Sequence, residues 1–81
     1  MEWDTEALTD DAVVSDYLKE LRARVGMSQM ELATRIGESQ SFVSKYENAQ
    51  RRLTAAEFVR VVRALGMSIP EAASELDEKL P

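Results

Sequence analysis

The chain has 81 residues, a net charge of −5, 44% hydrophobic and 31% charged side chains, which describes one small domain of ordinary soluble composition. It contains no cysteine and no histidine, so disulfides, thiolate metal sites and imidazole bases are excluded, and no cofactor, metal or enzymatic role is expected. No apolar run approaches the roughly 18 residues of a membrane span, and the expectation is a cytoplasmic protein stabilised by helix packing.

Residues 1–9 lack any helical periodicity and read as a loose acidic N-terminal arm, with no role assigned to Trp3; residues 10–81 form the folded domain. Helix 1, over about 10–25, carries Val14, Leu18, Leu21 and Val25 as one apolar stripe. Helix 2, over 28–36, opens on Ser28 with Glu31 three residues later, a capping box in which hydroxyl and carboxylate satisfy reciprocal backbone donors. Helix 3, over 39–48, opens on Ser39 without the box. Helix 4, over 54–65, has the Thr54–Glu57 box and lines the core with Phe58, Val61, Val62 and Leu65. Helix 5, over 69–79, has the Ser68–Glu71 box and a seam of Ile69, Ala73, Leu76 and Leu80. Gly26, Gly37 and Gly66 fall where helices must stop. No segment alternates with period two, so the fold class is all-α, a compact five-helix domain.

Helices 2 and 3 have the constraints of a helix-turn-helix. Two helices crossing at about 90–120° through a short turn need close approach at the corner, which Ala33 and Gly37 permit. Leu32, Ile36, Val43 and Tyr46 face inward to hold the angle. Gln29, Gln40, Ser41, Ser44 and Lys45 are left outside, all short or flexible hydrogen-bonding groups. Phe42 is expected to pack under helix 4 rather than against a thymine methyl.

Charge is unevenly distributed along the chain. Residues 1–20 hold seven acids against Lys19, net −6; residues 21–63 hold eight arginines and lysines against four acids, net +4; residues 64–81 are net −3. Exposed charges act over about 8 Å at physiological salt, so local sign matters more than the total. The basic block contains the helix-turn-helix.

From Tyr17 to Ser68 the sequence resembles the lambda-repressor-like family, the Cro and Xre group of phage and bacterial regulators. The likeness runs through Leu21–Arg24, Gly26–Ala33, Ser41–Asn48 and Arg63–Gly66. It implies a five-helix bundle whose third helix enters the DNA major groove, binding a palindromic operator as a homodimer. By position, Gln40, Ser41, Ser44 and Lys45 then resemble the base readers: Gln pairs with adenine, Lys with guanine, and Ser is permissive. Gln29 resembles the residue that clamps a phosphate at the start of helix 2, where unpaired N–H groups favour anions. Ser39, Arg51 and Arg52 are grouped with it as backbone contacts. Arg22 and Glu47 match positions that form a structural ion pair. The family commonly has glycine where this chain has Ala49, and Asn48 is the alternative for the left-handed cap.

Ile69, Leu76 and Leu80 are either core residues or a homodimer interface; a monomeric module of this size would bury few bases. The reading is a repressor, with an antitoxin that also represses its own operon as the alternative. In the alternative, the acidic termini would be the surface for a toxin partner. A third reading, an interaction module that has lost DNA binding, sits poorly with the intact polar set Gln40, Ser41 and Lys45. An enzyme is not expected, because adjacent acids such as Asp10 and Asp11 point about 100° apart on a helix.

Overall fold

The computed structural model describes the backbone from residue 5 and side chains from residue 10 to the end of the chain. Five helices follow one another: α1 (Thr5–Arg24), α2 (Gln29–Ile36), α3 (Gln40–Glu47), α4 (Ala55–Ala64) and α5 (Ile69–Lys79). There are no strands among the described residues. Trp3 and the start of the expected arm lie outside them. The remainder of that arm, residues 5–9, belongs to α1, which begins well before the expected residue 10. No glycine or proline interrupts this stretch, so nothing in it stops a helix before residue 10.

One core joins all five helices. Tyr17, Leu18 and Leu21 of α1 are buried with Leu32, Ala33 and Ile36 of α2, Val43 and Tyr46 of α3, Val61 and Val62 of α4, Leu65, and Ala72 of α5. Two expectations for the apolar faces fail. Val25 is 46% exposed, because α1 has ended at Arg24 and the chain is already turning. In α5 Ala72, not Ala73, is the buried position, so the inner face runs Ile69–Ala72–Leu76 at three- and four-residue spacing. Val14, Phe58, Ile69 and Leu76 are half-buried and pack against the core. Tyr17, absent from the expected stripe, is nearly fully buried and donates its hydroxyl to Glu75 Oε1 at 2.7 Å, joining α1 to α5.

Two of the three expected capping boxes are complete. Ser28 Oγ accepts from the Glu31 amide at 3.0 Å, and Glu31 Oε1 accepts from the Ser28 amide at 3.3 Å. Thr54 and Glu57 repeat this at 3.1 and 2.8 Å. At α5 the box is half made. Ser68 Oγ accepts from the Glu71 amide, but its own hydroxyl donates to Glu71 Oε1 at 2.8 Å and takes the carboxylate away from the backbone.

The other ends of α1 to α4 share one geometry. In each, a residue with positive φ donates its amide three residues back, and the next residue donates five residues back, the paired bonds of the Schellman motif. Gly26, Gly37 and Gly66 occupy the left-handed position in three of them. Nothing lies within 4 Å of a Cβ built on Gly37, so glycine is required there by conformation, not by space. At the end of α3 the left-handed residue is Ala49, with φ 57°. Asn48, the expected alternative, stays at φ −95°. The donors fix this register, because Ala49 reaches Tyr46 O at 3.1 Å and Gln50 reaches Lys45 O at 2.8 Å.

Candidate nucleic-acid interface

The α2–α3 corner is held by its core and by one polar chain. Arg22 of α1 donates through Nε and Nη2 to both oxygens of Glu47 at 2.7 and 2.9 Å. Its Nη1 donates to Met27 O at 2.8 Å. The Glu47 side chain is only 1% exposed and that of Arg22 15%. A bidentate pair with its remaining donors satisfied is the form in which a buried charge is tolerated. The hydrogen bond to Glu47 raises the Arg22 guanidinium above its ordinary value. The pair therefore fixes the loop after α1 and the last turn of α3 in one frame.

Gln29 extends that frame to the surface. Its Nε2 donates to Glu47 Oε1 at 3.0 Å, and its Oε1 accepts a long bond of 3.5 Å from Gln40 Nε2. The expected phosphate clamp at the start of α2 and the expected reader at the tip of α3 are thus joined to each other and anchored to the buried ion pair. Ser39 caps α3 by accepting from the Phe42 amide at 3.1 Å. Gln40, Ser41 and Lys45 are exposed and Ser44 half-buried, while Val43, Tyr46 and Glu47 of the same helix point inward. Lys45 makes no ion pair with any described residue. This arrangement presents amide, hydroxyl and ammonium groups along one side of α3, with the helix unable to rotate without breaking the Glu47 contacts.

Phe42 is half-buried against the core and meets Tyr46 edge-on, with ring centroids 5.8 Å apart. Its other side is covered by the Arg51 guanidinium, 4.6 Å from the ring centroid. The loop arginines differ from the expectation in one respect: both are held by carboxylates. Arg51 makes a two-pronged pair with Glu57 at 2.9 Å and 2.9 Å. That pair, together with the Thr54 amide bond, pulls the Glu57 carboxyl down to about 2. Arg52 Nε meets Asp11 Oδ2 of α1 at 2.7 Å. Neither partner was among the expected site residues. The capping role of Glu57 gave it a place on α4, but nothing in the sequence links residue 11 to residue 52. The net +4 of the central block is therefore reduced in space by the acidic segment that precedes it.

The three residues expected at a dimer interface are placed unevenly. Ile69 and Leu76 spend much of their surface on the protomer's own core. Leu76 also lines an apolar cleft with Val14, Leu53, Phe58 and Val59. Leu80, the C-cap of α5, is half-buried. No described helix is long and apolar enough to cross a membrane.

Comparison with known proteins follows the same lines. Residues 18–71 match the model of a family described as helix-turn-helix. An XRE-family like protein from Pseudomonas syringae pv. tomato is 41% identical, with 90% of this chain and 89% of that chain covered and a TM-score of 0.81. The restriction-modification controller protein C.Esp1396I, solved as a tetramer in complex with its natural 35 base-pair operator, is 24% identical, with 88% and 93% covered and a TM-score of 0.82. The clp gene regulator ClgR from C. glutamicum is 22% identical, with 89% and 92% covered and a TM-score of 0.77. These last two likenesses concern the fold. No curated protein sequence matches the chain.

Proposed function

The chain belongs to the helix-turn-helix family, and from that premise we propose that it is a DNA-binding transcription regulator, a repressor that places α3 in the major groove of a palindromic operator. The observation that carries the reading is the Arg22–Glu47–Gln29–Gln40 chain, which fixes α2 and α3 together beneath an outward row of polar groups. In this reading Gln40, Ser41, Ser44 and Lys45 touch base edges. Gln29, Ser39, Arg51 and Arg52 touch the sugar-phosphate backbone, and so position the protein without reading sequence. The protein is non-catalytic and acts in the cytoplasm. Solved relatives include a controller protein bound to its operator as a tetramer, which supports both the DNA partner and assembly. The proposed dimer uses the exposed parts of Leu76 and Leu80 with Ile69, since two copies read two half-sites about one helical turn apart.

The test is selection of bound sites from a random DNA pool, read for a dyad and its spacing. An enriched palindrome is expected. Gln40→Ala should then relax discrimination at one base pair in each half-site by about 1–3 kcal/mol. A selection that enriches nothing would remove the reading.

A further inference from the structure

Both loop arginines proposed to meet the DNA backbone are already engaged with carboxylates. Arg51 spans Glu57 through two nitrogens, and its Nη1 also donates to Arg52 O at 3.1 Å. Arg52 is bound to Asp11 through Nε. All four groups retain solvent access: the side chains are 40% and 17% exposed for Arg51 and Glu57, and 45% and 43% for Arg52 and Asp11. An incoming oxyanion can therefore reach either guanidinium, but it must displace or share with the resident one.

We propose that Asp11 and Glu57 are internal competitors for DNA phosphate, an autoinhibitory contact that weakens the sequence-independent part of binding. The inference rests on the DNA-binding reading above. Phosphate contacts provide affinity through charge neutralisation and counterion release. A guanidinium paired with a carboxylate already has much of its charge compensated. Exchange of carboxylate for phosphate then yields only a difference between two similar interactions. The base-reading groups carry no such handicap, since Lys45 makes no ion pair among the described residues. Binding is thereby shifted away from phosphates and toward base edges. Glu57 lies within the residues that match the family model, whereas Asp11 lies ahead of them. The second competitor is thus supplied by the N-terminal part of α1, which reaches back to the loop after α3. This gives the acidic start of the chain a defined task.

The experiment measures the full chain against a fluorescently labelled random-sequence duplex by anisotropy, at salt from about 50 to 200 mM. Asp11→Asn and Glu57→Gln are compared with the wild type and with Asp77→Asn. The control removes one negative charge from α5 at Asp77, which is exposed and forms no ion pair with either arginine. Glutamine can still serve in a capping box, so Glu57→Gln keeps its helix start, and a thermal melt of each variant verifies the fold. Each of the two variants is expected to bind more tightly than the wild type. For Glu57→Gln, freeing one phosphate contact at Arg51 steepens the salt slope by about 0.9, so the gain should shrink about 3.5-fold across that salt range, and Asp11→Asn should change the slope in the same direction. Asp77→Asn should stay within about twofold of the wild type at a nearly unchanged slope. If Asp11→Asn and Glu57→Gln behave like Asp77→Asn, only overall charge is at work and the proposal falls. If they bind more weakly, the carboxylates orient the arginines for DNA, and it also falls. Absence of binding by the wild type and all variants at the lowest salt would remove the DNA-binding reading itself.

Discussion

Replacing Ala49 with glycine is expected to stabilise the protein, and the amount follows from the end of α3. Ala49 sits at φ 57°, a conformation that costs a residue with a Cβ about 1–2 kcal/mol. Glycine removes that cost but loses about 0.4–1 kcal/mol more through the freedom it adds to the unfolded chain. The two hydrogen bonds of the motif, from the amides of Ala49 and Gln50, involve only backbone and survive the change. Residue 49 is exposed, so deleting its methyl sacrifices little packing. The midpoints of these ranges leave a net gain of about 0.8 kcal/mol, and at about 4–8 °C per kcal/mol for a domain of this size the melting temperature should rise by about 3–6 °C. The assay is thermal unfolding followed by far-UV circular dichroism. Gly37→Ala supplies the mirror experiment, because the same motif ends α2 with open space around the missing Cβ; it should lower stability by about 1 kcal/mol. If Ala49→Gly melts at or below the wild-type temperature while Gly37→Ala is destabilised, the end of α3 is not strained in the way its backbone angle implies.

Arg22→Met strands the Glu47 carboxylate in the core and should cost about 3–5 kcal/mol in urea unfolding. The double change Arg22→Met with Glu47→Leu should cost less than Arg22→Met alone. Leu76→Asp should move sedimentation toward monomer, and Leu80→Asp, at the less buried end of α5, should do so with less effect on the melt. An unchanged dimer in both would place the interface elsewhere. At high pH, burial and the Glu75 hydrogen bond push the Tyr17 hydroxyl up, and burial does the same to Tyr46. Their neutral forms therefore support the fold fully below pH of about 10, and stability should decline above it as the unfolded chain ionises first. In acid the opposite sign holds for Glu57: its contribution is complete above the ordinary carboxyl value of 4.5 and disappears as pH falls toward about 2. Urea midpoints across pH would show both slopes.

Local chemistry made most of the fold legible in advance. Hydroxyl and carboxylate spacing located the starts of α2, α4 and α5, and glycine located three of the four helix ends that share the Schellman geometry. These signals act within one turn, so they need no knowledge of the partner helix. The same locality explains the misses. Ala49 carries no mark of a left-handed residue, and its conformation shows only in the backbone bonds that close the end of α3. On α5 the expected seam is right at Ile69, Leu76 and Leu80 and one residue late at Ala73, because alanine at 72 and at 73 offers the same hydrophobicity and only α1 and α4 decide which is covered. Tyr17 was passed over because its polar tip needs Glu75, 58 positions away, to make burial acceptable. The charge blocks failed for a related reason. Summing over neighbours in sequence treats residues 1–20 and 21–63 as separate surfaces, yet Asp11 and Arg52 are 2.7 Å apart. A basic segment is a phosphate-binding surface only to the extent that the fold leaves its charges unmatched. Among the described residues the fold leaves Lys45 unmatched on the proposed reading face and matches both loop arginines, so base reading is expected to matter more than the central charge implies.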